Sequence, residues 1–180
     1  MNSLGLASGT VTVVPYDPHW VNEFNIASHE IHNAVGSRII EVHHVGSTAV
    51  AGLCAKPILD ILVSVPDFSQ ALEIVPDLVK LGYEFRPNEE IPDRHYFRRL
   101  RGKHRTHHLS LAEPSSHYHT VTLAFRDALR ASSEDARRYC ELKLELARKF
   151  PYNREAYISG KSKFVAEILS RHSNSLKETR

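Results

Sequence analysis

Cysteine, methionine and tryptophan are scarce in this chain of 180 residues, which holds two, one and one of them. Two cysteines, Cys54 and Cys140, cannot build the multi-bridge framework of a small secreted domain. No basic, apolar and small-residue leader opens the sequence, so a reducing cytoplasm is the expected setting. Long apolar runs are missing too. The longest, Ile58 to Val63, contains Asp60 and falls far short of the roughly 18 residues that cross a bilayer, which argues against a membrane role. Charge of one sign is not in excess, because 23 Lys and Arg against 21 Asp and Glu leave only +2. A hydrophobic share of 42% with 24% charged residues excludes disordered, collagen-like and coiled-coil classes and leaves a globular domain.

Periodicity and punctuation supply the elements. Asp17-Pro18 opens a helix on which Trp20, Phe24, Ala27, Ile31 and Val35 recur before Gly36. Arg38 to Val45 alternates as a strand, with Ile40, Val42 and His44 on one face. Gly46 to Leu53 then turns through small residues with a short helical piece. Pro57 to Val65 is the most apolar strand, with Ile58, Asp60 and Leu62 on one side. Asp67 and Gln70 cap a helix that Pro76 should kink and Gly82 should end. Tyr83 to Arg86, His95 to Leu100 and His104 to Ala112 read as strands, the last two as a hairpin, after a polar loop over residues 87–94. Three helices follow, capped near Ser116, at Ser132 and at Asn153, and the last carries Tyr157, Lys161, Phe164 and Ile168. The expected fold is α+β, a mixed sheet with packed helices and a helical C-terminal part. Residues 11–171 form its single domain, and 1–10 and 172–180 are expected as flexible tails.

Chemistry concentrates around His44-Val45-Gly46-Ser47-Thr48-Ala49-Val50 and, ten residues after Val50, Asp60. A Gly-Ser-Thr turn can offer backbone N–H groups to phosphate oxygens, and a carboxylate on the next strand could hold a divalent cation against them. An aspartate in an apolar strand costs several kcal/mol unless it is paired, with Lys56 the nearest candidate. Arg94, Arg98, Arg99, Arg101, Lys103 and Arg105 crowd one segment and favour an anionic ligand, or form an ordinary solvated hairpin. Arg126 and Arg130, four apart on a helix, could grip two oxygens of a phosphate or pair with Asp127. His104, His107, His117 and His119 read as incidental, and Cys54 as structural.

The run from His44 to Leu53 followed by Lys56-Pro57-Ile58-Leu59-Asp60, with Leu81-Gly82-Tyr83, His108-Leu109, Phe125 to Arg130, Tyr139, Leu142-Lys143, Lys161 and Phe164, resembles the GrpB family, also called UPF0157. The resemblance covers nearly everything from Val13 to Ile168. It implies a fold like that of the polymerase-beta-type nucleotidyltransferases and a nucleotide or phosphorylated small molecule as substrate or ligand. Domains of this kind are fused behind dephospho-CoA kinase in some bacteria. That superfamily works with a glycine-serine turn, two carboxylates one residue apart and a third on a later strand, which together hold two metal ions. Here Gly46-Ser47 supplies the turn and Asp60 the first acid, but Leu62 stands where the second would be, and the later strand offers His108 and Ser110.

One carboxylate does not readily organise two magnesium ions. Residue types on neighbouring strands suggest instead a single divalent metal (Mg, Mn or Zn) on Asp60, His44 and His108, with His43 as a further candidate ligand and Asp60, His44 and His108 acting in catalysis. Gly46, Ser47, Thr48 and Lys56 would meet the phosphates, and Arg98, Arg126, Arg130 and Lys143 would neutralise them. Two readings stay open: metal-dependent nucleotidyl transfer, or a non-catalytic nucleotide-binding or anion-binding module that has lost the full set of carboxylates. Nucleic acid is the less favoured partner, since the basic segment carries only Tyr96 and Phe97 for stacking.

Overall fold

The computed structural model describes the backbone of residues 4–87 and 91–178, and their side chains through His172. Helix α1 (His19–Val35) starts where Asp17 accepts a hydrogen bond from the His19 N–H at 2.9 Å, and it buries Trp20, Ala27, Ile31 and Val35. The sheet it packs on has the order β2-β3-β6-β5-β4: β2 (Glu41–Val45), β3 (Leu59–Ser64), β4 (Tyr83–Phe85), β5 (His95–Arg101) and β6 (His104–Ala112). β3 and β6 run parallel, and the other neighbours run antiparallel. The sheet is therefore mixed.

Both faces of β3 are covered, which explains its near-continuous apolar run. Ile61 and Val63 join Val42, Phe97, Leu109 and Leu111 under α1 and α2 (Val75–Lys80). On the other face Leu62 packs with Val45 and Ala112 beneath Tyr118 and Leu123 of α3 (His117–Ala131). α4 (Ser133–Lys149), α5 (Arg154–Ser159) and α6 (Ser162–Glu178) close the domain, with Tyr139, Phe164 and Ile168 packed on Val50, Leu53 and Leu129. Each fully buried Leu, Ile or Phe contributes about 1.5–3 kcal/mol, so these clusters dominate stability.

Several expectations need correction. Residues 4–7 are not a loose tail: Leu4 and Leu6 are buried, and β1 (Leu6–Ala7) pairs with the start of β6. At the other end α6 continues to Glu178. Pro76 does not kink a long helix but stands in the first turn of α2, after a separate 3-10 turn over Ala71–Ile74, where a missing N–H is harmless. The helix expected from Asn153 to Ile168 is two, broken at Gly160, where an added Cβ would lie 2.5 Å from a Leu146 methyl. The loop expected over 87–94 falls partly outside the described residues. Cys54 and Cys140 are joined as a disulfide with Cα atoms 5.5 Å apart, a pairing that sequence alone does not indicate. Among the described residues no helix is long and apolar enough to cross a membrane.

Candidate anion-binding site

Sheet register decides which side chains meet. Val45, Asp60, His108 and Arg98 stand opposite one another across β2, β3, β6 and β5 and so share one face. Asp60 Oδ1 and His108 Nδ1 are 3.0 Å apart. Burial opposes ionisation of Asp60, but the His108 hydrogen bond and the charges of Lys56 and Lys161 outweigh it and hold the carboxyl below its ordinary range. Gly46 follows β2 with φ 69° and ψ −169°, and an added Cβ would lie 2.4 Å from Asp60 Oδ2. Glycine is required here because the turn passes directly against the carboxylate.

A cavity of about 370 Å³ opens between this turn and the C-terminal helices. Gly46, Ser47, Thr48, Asp60 and His108 line it from the sheet side, and Lys56, Lys143, Arg154 and Lys161 supply its cations. Lys143 is 2% exposed, and its Nζ donates to Ser47 Oγ at 2.9 Å and to the Cys54 carbonyl. Its ammonium lies 4.6 Å from the Tyr139 ring centroid, and those of Lys56 and Lys161 lie 5.3 and 4.8 Å from that of Tyr157. Aromatic faces thus stabilise all three cations in part. Burial, reinforced by neighbouring lysines, pushes Lys143 down to about 7 and Lys56 to about 8, and burial lowers Lys161 too. The same burial raises the phenols of Tyr139 and Tyr157.

Of the residues expected in the site, Gly46, Ser47, Lys56, Asp60, His108 and Lys143 are brought together. Thr48 lines the cavity but is 1% exposed and spends its hydroxyl on His44 Nε2, at 3.0 Å. His44 itself lies opposite Ile61, on the other face of the sheet from Asp60, stacked on Phe24 at 4.6 Å. Burial pushes its imidazole down to about 4, so it is a neutral structural group. Arg126 and Arg130 hold the turn from behind rather than a ligand. Arg126 donates to the His44 carbonyl at 3.2 Å and Arg130 to the Ala49 carbonyl at 2.9 Å, and Arg126 also pairs with Asp127 at 2.8 Å. Arg98 pairs with Glu84 at 2.9 Å and lines neither cavity beside Asp60. The basic segment is not one patch either, because Arg99 points to the opposite face and pairs with Glu30 at 2.8 Å.

The metal set expected from the sequence is not assembled as a whole: His44 is on the other face of the sheet and Leu62 is buried where a second acid would stand, so only Asp60 and His108 share a site. Among the described residues no group of three His, Cys, Asp or Glu side chains is placed to hold an ion. These residues do not fit a divalent metal held by the protein's own ligands. What sequence reasoning underweighted is the helical side of the cavity: Arg154, Tyr157 and Lys161, more than a hundred residues after the turn. The Asn153 cap and the aromatic Tyr157 were visible, but not their direction.

A family model described as GrpB protein matches residues 10–171. UPF0157 protein BH1888 of Halalkalibacterium halodurans is 37% identical over 164 residues, which is 91% of this chain and 83% of that protein. UPF0157 protein PA4798 of Pseudomonas aeruginosa is 40% identical over 167 residues, 89% of this chain and 67% of that protein. The crystal structure of conserved protein GrpB from Enterococcus faecalis superposes with a TM-score of 0.84 at 30% identity, covering 92% of this chain and 99% of that one.

Proposed function

The chain belongs to the GrpB family, and we propose that it binds the phosphates of a nucleotide or phosphorylated small molecule and transfers a nucleotidyl group. The observation that carries the binding is Lys56, Lys143, Lys161 and Arg154 around one cavity in which Asp60 is the sole carboxylate among the described residues. Four cations facing one acid repel one another, and a polyanion relieves that repulsion. Ser47 and its turn face the same space and would share the phosphate oxygens. Transfer rests on the family resemblance.

Calorimetric titration with ATP, CTP and tripolyphosphate, with and without Mg²⁺, tests the binding. Lys143→Met and Lys161→Met are each expected to weaken binding by about 10–100-fold, since a hydrogen bond to a charged group is worth about 1.5–3 kcal/mol. Silence with every ligand, or variants that bind like the wild type, would overturn the reading. CoA precursors belong on the same panel. A second reading, the non-catalytic module, is favoured by the buried Leu62. Binding without turnover in any combination would select it.

Protonation gives an independent test. Lys143 near 7 and Lys56 near 8 both lie below the ordinary lysine value of 10.5, so between those limits the unfolded chain binds more protons than the folded one. As far as these two groups act, stability rises with pH from about 7 towards 10.5. An anion favours the ammonium forms, so its affinity should fall over that same rise. Titration at pH 8 in buffers of different ionisation enthalpy should then show net proton uptake. No uptake would separate the lysines from the ligand.

A further inference from the structure

Two buried side-chain nitrogens without a hydrogen-bond partner among the described residues, Arg94 Nε and His108 Nε2, belong to the lining of a second cavity. This cavity, of about 330 Å³, lies beside the lysine-lined one and shares Gly46, Asp60, His108 and Arg154 with it. Tyr96, Ser110, Tyr118 and Thr122 complete its polar wall. The Arg94 guanidinium is held between two aromatic rings, 4.9 Å from the Tyr96 centroid and 5.1 Å from that of Tyr118. Tyr118 is fixed in turn, its backbone N–H donating to Asp93 at 2.7 Å and its hydroxyl 3.0 Å from Ser110 Oγ. An unsatisfied buried donor or acceptor costs about 1–3 kcal/mol, and two at one cavity point to a ligand that supplies the partners.

We propose that this second cavity receives the acceptor of the transfer, a sugar hydroxyl carried on a phosphate monoester, and that His108, oriented by Asp60, takes the hydroxyl proton. Arg94 and Arg154 are the cations for the monoester, and a planar guanidinium fork suits phosphate oxygens. With Nδ1–H donated to Asp60, the lone pair of His108 is on Nε2, the atom left without a partner. The volume suits a molecule of sugar-phosphate to mononucleotide size.

The proposal rests on the phosphate-binding reading for its donor half only. Nε2 takes the proton as the hydroxyl oxygen forms its bond to the α-phosphorus of a nucleoside triphosphate. The bond from that phosphorus to the bridging oxygen breaks, and its electron pair leaves with pyrophosphate towards Lys56, Lys143 and Lys161. Asp60 balances the imidazolium. A histidine on a carboxylate thus does the proton work for which Leu62 and Ser110 offer no acid.

The test begins with the acceptor alone. UMP and ribose 5-phosphate are titrated separately into the wild type, Arg94→Gln and Arg137→Gln. At least one should bind the wild type, about tenfold or more weaker to Arg94→Gln and unchanged to Arg137→Gln, an exposed arginine of α4 that lines neither cavity. Binding of neither, or equal binding to wild type and Arg94→Gln, overturns the acceptor site. Long-range ¹H–¹⁵N spectra of the histidines should show His108 Nε2 unprotonated and shifted by the acceptor, and an unmoved resonance overturns its role. If a transfer product forms from UTP, His108→Gln should slow it by about 100-fold at saturating UTP and acceptor. An unslowed variant likewise overturns the role. Failure of tripolyphosphate to bind while UMP does would remove the donor reading and leave the acceptor site standing.

Discussion

Gly46→Ala is expected to destabilise the protein by about 3 kcal/mol or more, enough to remove a large part of the stability of an ordinary domain. Two costs add. The backbone sits at φ 69° and ψ −169°, a region that glycine alone occupies readily and where other residues carry about 1–3 kcal/mol of strain. The new methyl would also stand 2.4 Å from Asp60 Oδ2 and 2.9 Å from Asp60 Cβ. A carboxylate can swing away, but its Cβ cannot, so β2 and β3 must part or the turn must refold, at about 1–3 kcal/mol more. Urea unfolding measures the loss. Asp60→Ala in the same chain should recover only part of it, because the Cβ contact and the positive φ both persist. Full recovery would show that the carboxylate alone was the obstacle.

Reducing the Cys54–Cys140 bond is expected to cost about 2–4 kcal/mol. The two residues are 86 apart in sequence, so the bond restrains a long stretch of the unfolded chain, and the chain-entropy account places such loops at the upper end of that range. The native-state consequence is local. Cys140 precedes Lys143 by about one turn of α4, and the Cys54 carbonyl accepts from Lys143, so the bridge and the lysine tie the same loop to the same helix. Unfolding midpoints with and without a phosphine reductant, and of a Cys54→Ser/Cys140→Ser variant, should fall together. An unchanged midpoint after confirmed reduction would mean that the Lys143 contacts and the surrounding packing suffice.

The contrast between His44 and Asp60 shows where sequence reading stops. Alternation placed each correctly within its own strand, but which face of β2 matches which face of β3 depends on register. A slip of one residue from Val45 opposite Asp60 would have put His44 beside the carboxylate. Hydrophobic pattern could not decide, because both faces of β3 are buried. Arg126 and Arg130 were legible as a pair on one helical face beside Asp127, with which both pair, yet each also binds a main-chain carbonyl, which carries no sequence signal. Periodicity alone places Lys161 within a continuous helix, whereas the break at Gly160 brings its ammonium over the Tyr157 ring. The strands, the capped helices and the α+β class were readable because local chemistry sets them. The cavity needs long-range pairing.

That dependence reaches into how the chain folds. β3 and β6 are the one parallel pair among the described strands, and the Asp60–His108 contact on them closes 48 residues. The lysine contact is longer still, with Lys143 on Ser47 spanning 96 residues. Pairings of such separation carry their chain-closure cost before any contact rewards it, so they form late and slowly. Truncation before α5 removes Arg154 and Lys161 outright, so no N-terminal fragment holds the full cation set. Affinity for the proposed phosphate ligand would therefore report complete folding, since a population that bound it through the full cation set would have assembled its parallel pair and docked its last helices.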